Sequence, residues 1–242
     1  MNCKGVIFDY GGTLDTNSKH WSEVIWEGYQ HEKVDVQKEL YRKAYVHGER
    51  SLAKFPLIRP DYTFLDLLRV KLKIQTSFLL DTGWWETDEA TRRSKAEDIA
   101  VYCYEYVRNV LQKSRAVLQT LSRNYPMVLV SNFYGNINTI LRDFYLDTYF
   151  QQVIESSVVG VRKPNPRIFQ LGIDALHLRP AEVVVVGDSY TKDIVPAASL
   201  GCKTVWIRGI GWNDEAVDES VPTAIITDID QLPDVLESNQ LP

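Results

Sequence analysis

The sequence predicts an α/β protein, a doubly wound parallel sheet of the Rossmann-like type that carries an inserted block of helices. Short, almost continuously apolar runs alternate with amphipathic segments, and such runs are typical of strands buried on both faces of a parallel sheet. The clearest example is Val183–Val186, four valines in a row. About a hundred residues near the amino terminus lack such runs and carry apolar residues at helical spacing instead. We therefore divide the chain of 242 residues into an α/β core, residues 1–16 and 113–242, and a helical cap domain, residues 17–112.

The pattern predicts elements along the whole chain, with six strands in all. The first strand is the apolar run Val6–Phe8, which ends at Asp9. Four helices are predicted in the insert: His20–Lys33, Gln37–His47, a helix capped by Asp61, and a helix from Thr87 to about Gln112. The other predicted strands are Met127–Val130, Gln152–Glu155, Val183–Val186, Thr204–Ile207 and Ala224–Ile226. Between them lie predicted helices at Ser114–Asn124, Asn136–Tyr145, Asn165–Leu176 and Thr191–Leu200. Gly209–Gly211 is predicted to be a loop, and the polar tail Glu237–Pro242 is predicted to fray.

Composition narrows the possible classes of function. A hydrophobic share of 45% and a charged share of 24% are ordinary for a soluble globular protein. The net charge of −5 argues against a nucleic-acid binder that works through a general basic field. Three scattered cysteines, Cys3, Cys103 and Cys202, are too few for a disulfide framework or a zinc site. No apolar stretch reaches the ~18 residues of a membrane span and no secretory segment precedes the first strand, so we expect a cytoplasmic protein without membrane or nucleic-acid partners.

Polar residues stand at or near the ends of four predicted strands. Asp9, Ser131 and Asp188 follow core strands, and Lys163 lies in a loop after another strand. Because the carboxyl ends of parallel strands share one edge of a sheet, residues far apart in sequence converge there. Taken alone, Asp9 suits equally a reacting carboxylate and a turn aspartate that caps the next segment.

Together the four residues suit phosphoryl transfer through an aspartyl nucleophile. The nucleophile and the substrate are both anionic, so the attack requires neutralisation of charge. Asp9 and Asp188 can hold a divalent cation in oxygen ligands, and Lys163 adds a further positive charge. Ser131 and nearby amides can donate hydrogen bonds to the phosphoryl oxygens.

At these residues the chain resembles the haloacid dehalogenase-like hydrolases. The first motif is D-Y-G-G-T-L at Asp9–Leu14, and the second is Ser131-Asn132 after V-L-V. Lys163-Pro164 before a helix gives the third motif, and Gly187-Asp188 with Asp193 gives the fourth. The resemblance covers essentially the whole chain, and the helical insert stands where the family has a helical cap.

The resemblance implies a role for each motif residue. Asp9 is the implied nucleophile, and Lys163 is the second catalytic residue. The implied Mg²⁺ ligands are Asp9, Asp188 and the backbone carbonyl of Gly11, with Asp193 supporting the metal's water shell or Lys163. The implied phosphate-binding residues are Gly12, Ser131, Asn132 and Lys163. The expected partner is a small phosphorylated metabolite selected by the cap, and the protein is expected to be a monomer or a homodimer.

One position departs from the family pattern. Phosphatases of this family carry a second aspartate two residues after the nucleophile, where it acts as general acid and general base, and here that residue is Gly11. A general acid–base group contributes roughly 10²–10⁴-fold to a rate, so we expect slow turnover or a substitute group. The candidates are Asp15, His20, Tyr10 and a further residue of the cap.

The departure keeps other functions open. A metal-independent 2-haloacid dehalogenase also lacks the second aspartate, although Asp188 favours the phosphatase. Phosphonate cleavage calls for a Schiff-base lysine in the cap, where Lys33, Lys38, Lys43 and Lys54 are available. A non-catalytic regulatory protein that keeps the phosphate site is the remaining alternative.

Overall fold

A six-stranded parallel sheet forms the centre of the molecule, as the sequence predicts. The structure, a computed structural model, describes residues 3–209 and 217–237. The strand order is β3-β2-β1-β4-β5-β6, and every neighbouring pair is parallel. The bounds are β1 Gly5–Phe8, β2 Met127–Ser131, β3 Gln152–Glu155, β4 Val183–Gly187, β5 Lys203–Ile207 and β6 Ala224–Ile226.

The first strand lies in the middle of the sheet and brings the motif residues together. Phe8 is in register with Leu129 of β2 on one side and with Val186 of β4 on the other. The main-chain N–H of Asp9 continues this pairing by donating to the carbonyl of Val186 at 3.0 Å. The chain therefore leaves three adjacent strands at the same edge, close to a point where the strand order reverses.

Both faces of the sheet are covered by apolar side chains, which explains the continuous apolar strands. Along β1, Val6 and Phe8 point into one apolar cluster, whereas Ile7 points into the other. The valines of β4 alternate between the same two clusters. This two-sided burial is the arrangement of a doubly wound sheet.

Nine helices flank the sheet or lie between its strands in the described part of the chain. Their bounds are α1 Trp21–His31, α2 Lys38–Lys54, α3 Phe64–Asp81, α4 Glu89–Leu121, α5 Ile137–Asp143, α6 Ser156–Val159, α7 Arg167–Leu176, α8 Val195–Ser199 and α9 Leu232–Glu237. The first four helices follow β1 and pack on one another before the chain reaches β2. A wide helical turn, Tyr190–Ile194, precedes α8.

Two boundary predictions in this helical region are wrong. The predicted helices that end near Gln112 and begin at Ser114 are one helix of 33 residues, α4. No glycine or proline interrupts the sequence there, and the buried stripe continues through Leu111, Ser114 and Leu118. Helix α4 thus runs across the predicted domain boundary at residue 113. The start of α3 also differs, because Thr63 and not Asp61 caps it through a capping box with Asp66.

Other sequence predictions concern the ends of the chain and its environment. Ile210 and Gly211 of the predicted loop lie outside the described residues, as does nearly all of the predicted frayed tail. The three cysteines are free thiols. None of the helices in the described ranges combines the length and the apolarity that crossing a membrane requires.

A buried contact links α4 to the loop that follows Asp9, and it generates a stability prediction. The Ser114 hydroxyl donates to the Leu14 carbonyl at 2.7 Å, and Ser114 is fully buried. We expect Ser114→Ala to lower the free energy of unfolding by about 1–2 kcal/mol, because the carbonyl loses a partner away from water. Urea denaturation measures this difference. Ser122→Ala at the exposed end of the same helix is the matched control, and equal losses in both variants would contradict the prediction.

Candidate active site

A single cleft at the carboxyl edge of the sheet brings together all eight residues that the sequence assigns to the site. Its volume is about 1250 Å³. The eight lining residues are Asp9, Gly11, Gly12, Ser131, Asn132, Lys163, Asp188 and Asp193. The convergence that parallel topology predicts is therefore present, while the role of each residue stays a prediction.

Lys163 lies between two carboxylates at the base of this cleft. Its Nζ is 2.6 Å from Asp9 Oδ1 and 2.7 Å from Asp193 Oδ1, and all three side chains are almost completely buried. Burial alone would lower the pKa of Lys163, but Asp193 and Asp9 outweigh burial and raise that pKa. The lysine is therefore a cation that faces the proposed nucleophile.

Neighbouring groups hold Lys163 and Asp9 in place. The main-chain N–H of Lys163 donates to Asn132 Oδ1 at 2.9 Å, and Asn132 Nδ2 donates to the Lys163 carbonyl at 3.1 Å. These two bonds fix the lysine loop to the end of β2. On the other side, the Thr13 hydroxyl lies 3.2 Å from Asp9 Oδ2 and 3.1 Å from Asp188 Oδ1. The Asp188 main-chain N–H donates to the same hydroxyl, which therefore joins the first and last motifs.

The two adjacent glycines of the first motif differ in their surroundings. Gly12 has φ +98°, and a Cβ there would lie 2.3 Å from Asp188 Oδ2, so a side chain is excluded by backbone conformation and by space. The Gly12 N–H already donates to Asp15 Oδ1 at 2.7 Å. A Cβ at Gly11, in contrast, would meet nothing within 4 Å. The structure thus requires glycine at residue 12 and has room for a Cβ at residue 11.

The carboxylates at this edge form a cluster that suits a divalent cation. Oxygen atoms of Asp9, Asp188 and Asp193 lie within 4.8 Å of one another. Lys163 compensates one of these three negative charges, and a divalent cation would compensate the other two. Burial, followed by repulsion from Asp9 and Asp193, raises the pKa of Asp188 well above its ordinary value. Carboxylate and carbonyl oxygens are the ligands that Mg²⁺ prefers, so the donor set matches this ion.

None of the three named candidate substitutes for the missing aspartate takes its position. Asp15 lines the cleft, and burial raises its pKa to about 7, but its two oxygens accept hydrogen bonds from Gly12 and from Trp21 Nε1. His20 also lines the cleft, where burial lowers its pKa to about 4 and Nδ1 accepts from the Ser22 N–H. Tyr10 is fully buried and is not among the residues that line the cleft. Asp15 and His20 therefore stabilise the loop and the start of α1 in this structure.

Sequence reasoning missed Thr13, which contacts Asp9 and Asp188, and three residues that line the cleft. Thr13 belongs to the first motif, and that membership is the signal by which its contacts could have been anticipated. Glu49, Lys71 and Tyr134 contribute a polar cluster on the wall of the cleft. They come from α2, α3 and the loop after β2, and no motif connects them, so their proximity depends on how the helices pack.

The chain belongs to the haloacid dehalogenase-like hydrolase family, whose model matches residues 3–201. The glyceraldehyde 3-phosphate phosphatase of Pyrococcus furiosus is 31% identical over 139 residues, which cover 55% of this chain and 57% of the relative. The matched region thus spans little more than half the length of that curated relative.

Two solved structures share the fold. The magnesium-bound structure of YfnB from Bacillus subtilis aligns with a TM-score of 0.62 at 17% identity, covering 98% of this chain and 100% of the other. A 2-haloacid dehalogenase from Pseudomonas syringae aligns with a TM-score of 0.52 at 23% identity, covering 98% and 99%. At these identities the likeness establishes the fold and does not separate phosphatase from dehalogenase.

The carboxylate cluster predicts how stability responds to Mg²⁺. Binding at a concentration 100 times the Kd should raise the free energy of unfolding by about 2.7 kcal/mol. Asp188→Asn should abolish most of this gain, because one anionic ligand is lost. Urea denaturation at pH 7 with and without MgCl₂ measures both effects. Asp174→Asn on the exposed side of α7 is the control, and an equal gain in all three proteins would contradict the prediction.

Without metal, the buried carboxyl group of Asp188 predicts how the free energy of unfolding changes with pH. The folded state holds a proton on Asp188 that the unfolded state releases above its ordinary pKa of 3.8, so this residue lowers stability as pH rises from about 4. In EDTA we expect Asp188→Asn to be more stable than the wild type at pH 7, with a smaller loss between pH 5 and pH 7. A steeper loss in the variant would contradict this assignment.

Proposed function

We propose that this hydrolase is a Mg²⁺-dependent phosphatase of small phosphorylated metabolites that acts through an aspartyl-phosphate at Asp9. The observation that carries the proposal is the buried group of Asp9, Asp188 and Asp193 around Lys163, in which a single ammonium faces three carboxyl groups. A dehalogenase that attacks carbon has no need of this charge arrangement. The similarity to a glyceraldehyde 3-phosphate phosphatase supports a phosphate ester as the substrate.

Each residue of the cluster has a definable task in this reaction. An oxygen of Asp9 attacks phosphorus, and the P–O bond to the leaving alcohol breaks. Lys163 and donors at the end of β2 stabilise the charge on the transferring group. Mg²⁺ held by Asp9, Asp188 and the Gly11 carbonyl would supply further positive charge to the phosphoryl oxygens. Water then hydrolyses the aspartyl-phosphate and regenerates Asp9.

Proton transfer is the weak point of this sequence of steps. The leaving alkoxide must gain a proton, and the attacking water must lose one. Gly11 offers no side chain for either transfer, and both oxygens of Asp15 are occupied by structural hydrogen bonds. We therefore propose that the leaving alkoxide takes its proton from solvent water, that the attacking water loses its proton to solvent, and that turnover is slow.

The direct test is phosphate release from a panel of sugar, polyol, nucleotide and organic-acid phosphates with Mg²⁺ or EDTA. We expect phosphate release with Mg²⁺ and none with EDTA. In Asp9→Asn the rate of release should fall by at least about 10³-fold, since the nucleophile is removed. Asp98→Asn on the exposed face of α4 is the matched control and should retain activity. Release that persists in EDTA or in Asp9→Asn would refute the proposal.

A 2-haloacid dehalogenase is the second candidate, and Gly11 is the observation that favours it. Halide release from 2-chloropropionate in EDTA would establish this activity. If Asp9→Asn abolished that release while no phosphate ester were hydrolysed, the dehalogenase would replace the phosphatase as the function of this site.

The open space at Gly11 generates a gain-of-function prediction. We expect Gly11→Asp to increase kcat on phosphate esters by roughly 10²–10⁴-fold, because a Cβ meets nothing there and the carboxylate would restore the family's proton donor and acceptor. Gly11→Asn is the matched control, since it has the same size but cannot transfer the proton. Equal rates in the two variants would show that proton transfer is not the limiting defect. A gain in Gly11→Asp from a wholly inactive wild type would identify the natural protein as the non-catalytic alternative.

A further inference from the structure

The wall of the cleft carries a second polar group, distinct from the carboxylates around Lys163. Lys71 of α3 places its Nζ 2.8 Å from Glu49 Oε1 of α2. The hydroxyl of Tyr134, in the loop after β2, donates to Glu49 Oε2 at 3.0 Å. We call these three residues the wall cluster. All three line the same cleft as Asp9.

The wall cluster is charged in its parts and neutral as a whole. Burial raises the pKa of Glu49, but Lys71 outweighs burial and the net pKa is below the ordinary value. Burial lowers the pKa of Lys71, but Glu49 and the neighbouring phenols raise it well above the ordinary value. A carboxylate and an ammonium therefore face each other at neutral pH. The ammonium also lies 6.0 Å from the Trp21 ring centroid and 5.5 Å from that of Tyr134.

Stability alone does not explain an ion pair at this position. A buried ion pair is often no more stabilising than apolar side chains of the same volume. The Lys71 side chain is 7% exposed, whereas that of Glu49 is 33% exposed and lies at the cleft surface. Glu49 thus lines the cleft with a carboxylate that Lys71 and Tyr134 hold in place, and Oε1 of that carboxylate is shielded from solvent.

The charge balance identifies the chemical class that suits this wall. A second anionic group on the substrate would be attracted by Lys71 but repelled by Glu49. A cationic group would be attracted by Glu49 but repelled by Lys71. A hydroxyl group both donates and accepts, so neighbouring hydroxyls can bond to the carboxylate and to the ammonium or phenol at once. The rings of Trp21 and Phe133, which also line the cleft, offer apolar surface to the carbon atoms that bear those hydroxyls.

We propose that the wall cluster of Glu49, Lys71 and Tyr134 binds hydroxyl groups of the leaving alcohol, which makes polyol and sugar phosphates the favoured substrate class. This inference rests on the proposed phosphatase function and names the substrate class of that site. Glu49 is the specificity-determining acceptor, and Lys71 and Tyr134 position it.

The test compares two esters of the same length, glycerol 3-phosphate and n-propyl phosphate, which differ only in the two hydroxyls. We expect the wild type to prefer the glycerol ester by roughly 10- to 100-fold in kcat/KM, as expected for losing hydrogen bonds to a charged, partly buried group. Glu49→Gln and Tyr134→Phe should reduce that preference by at least about fivefold. The reduction should come from a lower kcat/KM for the glycerol ester, while kcat/KM for the propyl ester changes by less than about threefold. Glu97→Gln, which removes the carboxylate of the Arg69–Glu97 pair elsewhere in the cap, should leave the preference unchanged.

Each outcome of this test decides the inference. Equal kcat/KM for the two esters in the wild type, or equal losses on both esters in the variants, would overturn it while the phosphatase function stood. A preference for 3-phosphoglycerate or phosphoserine over glycerol 3-phosphate would overturn it in favour of a charged leaving group. If neither ester were hydrolysed, calorimetry with Asp9→Asn would decide: tighter binding of glycerol 3-phosphate than of propyl phosphate supports the wall cluster, and equal binding overturns it.

Discussion

The pairing of Lys163 with Asp9 and Asp193 is the interaction on which the rest of the site depends. Removing one partner from a buried ion pair leaves an uncompensated charge and typically costs 3–5 kcal/mol. The lysine is held by Asn132 at the end of β2, and Asp9 is held by its register beside β4. Because three carboxyl groups share one ammonium, a divalent cation would compensate the remaining charge when Asp188 is ionised. The sheet topology and the electrostatics of the cleft thus impose the same requirement.

The adjacent glycines show that the binding scaffold and the proton-transfer group are separable. Gly12 is dictated by its positive φ and by the closeness of Asp188, so it belongs to the geometry that holds the carboxylates. Gly11 is dictated by neither constraint. The chain therefore retains the anionic cluster while it lacks the side chain that usually moves protons. This combination explains why fold and family alone do not define the rate or even the bond that is broken.

Much of the fold and of the site could be predicted from the sequence because both depend on local patterns. The runs Gln152–Glu155 and Ala224–Ile226 are strands with the predicted bounds, and the eight motif residues line one cleft. The predicted break near residue 113 is wrong although the sequence holds the signal against it, since no glycine or proline stands there and the buried stripe continues through Leu111 and Ser114. Glu49, Lys71 and Tyr134 were missed for a different reason. Their contacts are set by the packing of helices far apart in sequence, which leaves no periodic signal.

The contrast between the two polar groups of the cleft suggests how binding energy is divided. In the proposed phosphatase, Lys163 and the cation held by the carboxylates would bind the phosphoryl group, which every candidate ester shares, so they would contribute equally to all of them. Discrimination between esters must come from groups that contact the alcohol portion. The wall cluster is neutral overall, so it would add little to the affinity for phosphate. An alcohol that leaves its buried polar groups without a hydrogen bond would bind more weakly, because their desolvation is not compensated. In the proposed phosphatase, the residues of the sheet edge would determine the reaction, and the packing of α2 against α3 would determine which alcohol is released.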